Sequence, residues 1–174
     1  AVAAMEDARA IVERANVASY YAGDDGRSAA RMLIEDGNGN RQQRQFTLLR
    51  KDVSDGGDQR YLVVFSRPAD IRGTVFRVEK HVGADDDRWL YLPALDLVKR
   101  IAAGDKRTSF VGSHFFYEDI SGRGLDEDNH RLVETTDAHY IIESTPKAPD
   151  EVAFARYRTW IDRESFLPMK TEYQ

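Results

Sequence analysis

The sequence predicts a mainly β, antiparallel domain that opens with one helix, an α+β arrangement dominated by strands. Two features carry this expectation. Apolar residues recur with the helical period only as far as Tyr20. Beyond it, short segments rich in β-branched and aromatic residues alternate with Gly/Asp/Asn turn clusters about every ten to fifteen residues, as in an antiparallel meander.

In the first element Met5, Ala8, Ile11, Val12 and Ala15 repeat at helical spacing with Glu6, Asp7, Arg9, Glu13 and Arg14 between them, so one face is apolar and the other solvated. The helix is expected to end near Tyr20, before Gly23-Asp24-Asp25-Gly26. Strands are expected over Ala29 to Glu35, Gln43 to Arg50, Arg60 to Ser66, Thr74 to His81, Arg88 to Leu92, Leu97 to Ile101, Arg131 to Thr136, Tyr140 to Ser144, Ala153 to Asp162 and Leu167 to Tyr173. Asp36-Gly37-Asn38-Gly39 and Ser54-Asp55-Gly56-Gly57 supply the residues that tolerate positive φ in hairpin loops.

Alternation then assigns faces. Tyr61, Val63 and Phe65 oppose Leu62 and Val64, so that strand is apolar on both sides and belongs in the middle of a sheet. Phe76 and Val78 share one face of their strand, and Arg77, Glu79 and His81 share the wet one. In Ala153 to Asp162, Ala155, Tyr157 and Ile161 alternate with Phe154, Arg156, Arg158 and Trp160; that mixed face is a partner surface or, more simply, a solvated outer face. Gly104 to His130 interrupts the meander and crowds Phe110, Phe115, Phe116 and Tyr117 together, with Ser113 placed to cap a short helix. A loop this long and apolar is a core plug or a lid. No internal repeat or linker-like stretch appears, so residues 1–174 read as a single domain.

Composition removes several functions. With 25 Lys+Arg against 30 Asp+Glu the formal charge is −5, the wrong sign for a nucleic-acid or anionic-membrane binder. No apolar run approaches the length of a membrane-spanning helix. The absence of cysteine removes thiolate catalysis, Cys-based zinc sites and disulfides together, and fits an oxidising compartment. Ala1-Val2-Ala3-Ala4 has the small residues that a cleaved signal peptide leaves behind. His81, His114, His130 and His139 lack ligand spacing, so no metal is expected. Asp85-Asp86-Asp87 lacks the glycine and terminal glutamate of a calcium loop and reads as a solvated turn, and Asp126-Glu127-Asp128 reads as part of a mobile acidic loop. Ser113 lacks the Gly-x-Ser-x-Gly frame, and no glycine-rich loop joins a strand to a long helix; no catalytic residue and no cofactor are expected.

Several segments are similar to a known family. Pro68-Ala69-Asp70-Ile71-Arg72-Gly73-Thr74, Arg88-Trp89-Leu90-Tyr91-Leu92-Pro93, Lys99-Arg100-Ile101, Phe110-Val111-Gly112-Ser113 leading into Tyr117-Glu118-Asp119, and the stretch from Trp160 to Lys170 resemble the outer-membrane lipoprotein-sorting proteins of the LolA-like superfamily. The match is strong from about Asp70 to Gln174. It implies a curved antiparallel sheet forming an unclosed β-barrel around an apolar cavity, with the N-terminal helix and a helical lid or plug, and a periplasmic location with the signal peptide removed. His114 and Phe116 replace residues that are more often acidic and small polar in the family, which makes this lid more apolar. Relatives usually continue with further strands, so C-terminal strands are expected to be missing after Gln174.

The expected function is noncatalytic binding of the acyl chains of a lipid or lipoprotein and their delivery toward the outer membrane, with an inner-membrane exporter or outer-membrane acceptor as protein partner and no nucleic acid. Phe65, Phe76, Val78, Trp89, Tyr91, Phe110, Phe115 and Phe116 are the candidate lining and lid residues, although parity alone does not say which face is concave. The alternative is a structural or accessory subunit that docks on an envelope transporter or assembly machine through a sheet edge or the Arg156, Arg158, Trp160 face, its interior filled by its own side chains. An enzyme acting through Asp or Glu would need two convergent carboxylates in a pocket.

Overall fold

The structure, a computed structural model, describes residues 7–174. Met5 and Glu6 of the helical stripe and the Ala1 to Ala4 start lie outside the described residues. Two compact units emerge: Gly23–Gly122, and Arg123–Gln174 together with the described part of Ala1–Ala22. Each carries one antiparallel sheet, neither of them closed.

The first unit is a meander of six strands, β1 (Asp25–Glu35), β2 (Arg41–Asp52), β3 (Gln59–Arg67), β4 (Val75–Lys80), β5 (Asp87–Leu92) and β6 (Leu97–Ile101), each paired with the next. Its hairpins use the expected turn chemistry: the Asp36 carboxylate accepts the N–H groups of Asn38 and Asn40 at 2.8 and 2.9 Å, which closes the β1–β2 loop. Register places Leu48, Val63, Phe76 and Leu90 side by side across four strands, and Tyr61, Val78, Arg88 and Ile101 in a second row on the same face. This inner face holds the core, and β3 lies at its centre as its two apolar faces require. On β3 the inner residues Tyr61, Val63 and Phe65 are buried, while Leu62 and Val64 behind them are only partly so.

The second unit begins with α1 (Ala8–Tyr20), whose N-cap Asp7 accepts the Arg9 N–H at 3.2 Å. Its four strands are β7 (Asp128–Thr135), β8 (His139–Pro146), β9 (Tyr157–Asp162) and β10 (Pro168–Tyr173), in the order β10-β9-β8-β7. The predicted apolar stripe of α1 lays Ile11 and Ala15 on Tyr140, Ile142, Ile161 and Phe166. β9 starts at Tyr157 rather than Ala153. Strand parity therefore does not reach Phe154, which is buried against Tyr157 and Tyr173 instead of standing on the outer face with Arg156. That outer face is an ion-pair row: the Glu143 carboxylate accepts from Arg131 at 2.6 Å and from Arg158 at 2.9 Å, and both guanidiniums, Arg131 first, hold it below the usual carboxylate range.

The acidic run expected to be a mobile loop is anchored at its last residue, Asp128. Asp128 is 2% exposed, accepts two bonds from Arg123 at 2.9 Å, and accepts the Tyr157 hydroxyl at 2.6 Å. Burial first, and the Asp128 charge second, push the Tyr157 phenol far above its ordinary value.

Candidate functional site: an aromatic cluster closed by a loop ring

The inner face of β2 to β5 is short of one ring, and a loop supplies it. Phe110, which no strand carries, is 1% exposed. Its centroid lies 5.7 Å from Phe65, 5.5 Å from Phe76, 6.0 Å from Tyr117 and 6.2 Å from Phe46. These are the separations and mostly tilted or edge-on geometries that aromatic pairs prefer, worth about 0.5–1.5 kcal/mol per pair beyond burial.

The loop is built as a clip. Ser109 and Phe116 form a bridge, and Val111 (φ 48°) and Gly112 (φ 76°) turn the chain with the Ser113 N–H on the Phe110 carbonyl at 3.0 Å, the φ pattern of a type I′ turn. Glycine suits that position, but a β-branched valine at positive φ is strained. What holds Val111 there is Arg44 of β2, whose Nε donates to the Val111 carbonyl at 2.9 Å, together with the Ser109 hydroxyl on the Ser113 carbonyl at 2.6 Å. Ser113 is not the helix cap that its position suggested: its hydroxyl serves the turn, donating to the Phe110 carbonyl at 2.7 Å. α2 (Tyr117–Ser121) begins after Phe116, whose N–H is taken by the Asp119 carboxylate at 2.7 Å.

Polar anchors hold the far end of the loop. The Lys80 ammonium donates to the Ser121 carbonyl at 2.7 Å, and the Asp86 carboxylate accepts from the Ser121 hydroxyl at 3.1 Å and from Arg88 at 2.9 Å. Burial lowers the Lys80 ammonium from its ordinary value. Asp86 is thus a half-buried hub and not simply part of a solvated turn. Glu118 is bound by Arg107 at 2.9 Å and Lys106 at 3.4 Å. The loop is pinned by charge at α2 and by an apolar ring and one main-chain contact at its tip.

Of the eight residues proposed from sequence, Phe65, Phe76, Val78 and Phe110 come together in this cluster. Trp89 and Tyr91 do not: Phe76 pairs with Leu90 and Val78 with Arg88, so the two aromatics that alternate with Arg88 and Leu90 stand on the opposite face of the sheet. Phe115 is 58% exposed, and Phe116 is half-buried with the Arg107 guanidinium 4.4 Å from its ring. Sequence reasoning missed Phe46, Leu48 and Arg44, which share one parity of β2; alternation in Gln43 to Arg50 was the available signal.

The second unit has its own cavity of about 210 Å³ between α1 and its sheet. Ile142 and Ile161 supply apolar walls, and His130, Ser144 and Tyr157 line it too. The His130 ring meets the Ser144 hydroxyl through Nδ1 at 2.8 Å and the Leu125 carbonyl through Nε2 at 2.9 Å, so Nε2 carries the proton of the neutral ring and Ser144 donates.

A family model described as an uncharacterized protein of DUF1329-like type matches residues 57–174. No curated protein matches the chain. Among solved structures, a DUF1329 family protein from Desulfovibrio piger is 34% identical with a TM-score of 0.84, over 95% of this chain and 71% of that one. An outer-membrane lipoprotein-sorting domain from Vibrio parahaemolyticus is 28% identical with a TM-score of 0.82 over the same shares, 95% and 71%. A LolA superfamily protein from Nitrosomonas europaea is 18% identical with a TM-score of 0.66, over 97% of this chain and 71% of that one; it shows the fold, which is LolA-like. Among the described residues no helix is long and apolar enough to cross a membrane.

Proposed function

The chain belongs to the DUF1329 family, and on that premise we propose that it is a noncatalytic periplasmic carrier that takes an acyl chain of a lipid or lipoprotein onto the inner face of β2 to β5 and passes it toward the outer membrane. Its likeness to a lipoprotein-sorting domain supports a carrier kind of function. The observation that carries the site is Phe110: the ring that completes the aromatic cluster comes from a loop whose tip is strained, so one loop movement opens the face without unravelling the sheet.

The energies favour such an exchange. Displacing a buried phenylalanine ring costs about 3–5 kcal/mol. A chain of roughly sixteen carbons contributes on the order of 12 kcal/mol at ~0.8 kcal/mol per methylene before ordering costs. The ring refills the space when the chain leaves, which lowers the cost of release to a tighter acceptor.

Two observations support the accessory-subunit reading: the inner face is filled by the protein's own rings, and β10 is exposed along its whole length at a sheet edge. Native mass spectrometry of protein purified from a bacterial periplasm, with organic extraction, separates the two. A discrete adduct of lipid mass supports the carrier. A bare mass that persists after incubation with excess phospholipid and a fluorescent fatty acid supports the subunit.

A further inference from the structure

The outer face of the six-stranded sheet carries a surface that acyl binding leaves unused. An antiparallel sheet face that meets only water is normally polar at its outward positions. Here register aligns Val64, Val75, Tyr91 and Val98 across β3 to β6, none of them buried, and Val98 is 63% exposed. The adjacent row is Leu62, Arg77, Trp89 and Arg100, with the Arg77 guanidinium 5.3 Å from the centroid of the Trp89 ring. Trp, Tyr and Arg are the side chains that dominate binding energy at protein interfaces, and β6 leaves one sheet edge open beside them.

The charges around the aromatic centre are layered. Arg60, Arg77 and Arg100 have side chains 60%, 56% and 69% exposed, whereas their partners Glu79 and Asp87 are only 19% and 33% exposed. Around Trp89 an approaching molecule meets three guanidiniums first and Glu79 and Asp87 behind them; the exposed Asp96 carboxylate lies to the side, on the Tyr91 hydroxyl at 3.1 Å. We propose that this face docks a protein segment that presents a bulky apolar side chain flanked by carboxylates. Electrostatics select that occupant over two others. An anionic bilayer would also attract the guanidiniums but would repel a chain of net charge −5 and press on Glu79 and Asp87. A second copy packed face to face would set guanidinium against guanidinium.

The test reads peptide binding at Trp89 and no acyl chain on the inner face, so its failure and that of the carrier reading are distinct. The chain has two tryptophans, and Trp160→Phe leaves Trp89 as the sole indole reporter. Two synthetic heptapeptides are titrated in, one alternating Asp with Leu and Phe, the other with Lys in place of Asp. Expected is a saturable change in Trp89 emission with the acidic peptide alone. Arg77→Glu combined with Arg100→Glu weakens it at least about tenfold and admits the lysine peptide. Val98→Asp, at an exposed edge position, weakens the acidic peptide in a protein whose melting is unchanged, and serves if the double variant does not fold. No saturable change, or equal response to both peptides, overturns the proposal. So does a larger emission shift with phosphatidylglycerol vesicles than with the acidic peptide, or a dimer in sedimentation that Val98→Asp abolishes.

Discussion

Removing the Phe110 ring separates a plug from an ordinary core residue. Phe110 is fully buried against Phe46, Phe65, Phe76 and Tyr117, so Phe110→Ala is expected to lower stability by about 3–5 kcal/mol, the transfer and cavity cost of a large-to-small change, with lost ring contacts placing it toward the upper end. In a core residue without a ligand, that loss is the whole effect. If the inner face receives an acyl chain, the wild-type protein must first move this ring, and the variant does not. Sparing even ~2.8 kcal/mol of that cost tightens binding about a hundredfold. Urea denaturation reads the stability and titration with a fluorescent fatty acid reads the affinity. The reasoning requires the two to move in opposite directions, with the ligand restoring melting temperature more in the variant than in the wild type. Affinity that falls with stability, or fatty acid that binds neither protein, refutes it.

Three further outcomes are expected. Arg44→Met removes the bond that holds the Val111 carbonyl, and amide exchange at Phe110 to Ser113 should quicken about tenfold for a loss of ~1.4 kcal/mol in local closure; unchanged exchange by mass spectrometry denies Arg44 that role. Asp128→Asn removes the buried carboxylate that takes two bonds from Arg123 and one from the Tyr157 hydroxyl and is expected to cost about 3–5 kcal/mol by urea denaturation, a loss below ~1 kcal/mol contradicting the anchor. His81 hydrogen-bonds Asp87 at 3.1 Å and lies 3.5 Å from Asp58, and Asp87 first, then Asp58, raise its imidazole above the ordinary value of about 6.5. A raised folded-state value means that the contribution is complete below about pH 6.5 and is lost as pH rises through the folded-state value. Melting of wild type relative to His81→Gln should therefore converge as pH rises from about 6.5 through the folded-state value, and a difference that stays constant on the alkaline side would exclude the contact.

Much of the chain was legible because its signals are local. The ten strands and the helix stand where predicted, to within a few residues at most ends, since period, turn glycines and Asn/Asp loops act over neighbours a few positions apart. The misplaced start of β9 has a local cause too: alternation continues back to Ala153, while Ala155 and Arg156 meet only Gln174 past the end of β10 and the regular ladder starts at Tyr157, and pattern alone does not distinguish a strand from an extended approach to one. The errors over Asp86, Asp128 and Ser113 share another cause. Each lies in a run with the composition of a solvated turn or a cap, yet each is recruited by a partner remote in sequence or by the turn itself: Asp86 by Ser121, Asp128 by Tyr157, Ser113 by the Phe110 carbonyl.

Spacing along the chain was enough for a mainly antiparallel β chain with one helix, for the shared parity of Tyr61, Val63 and Phe65 and of Phe76 and Val78, and for an aromatic loop from Phe110 to Tyr117, because these depend on neighbours within one element. Only the tertiary structure decided that the strands form two sheets, that Phe110 fills the inner face while Phe115 stays outside, and that Trp89 and Tyr91 look the other way. Parity divides the side chains of a strand into two sets, and which set meets the core is settled by register with neighbouring strands and by what a distant loop brings to cover them.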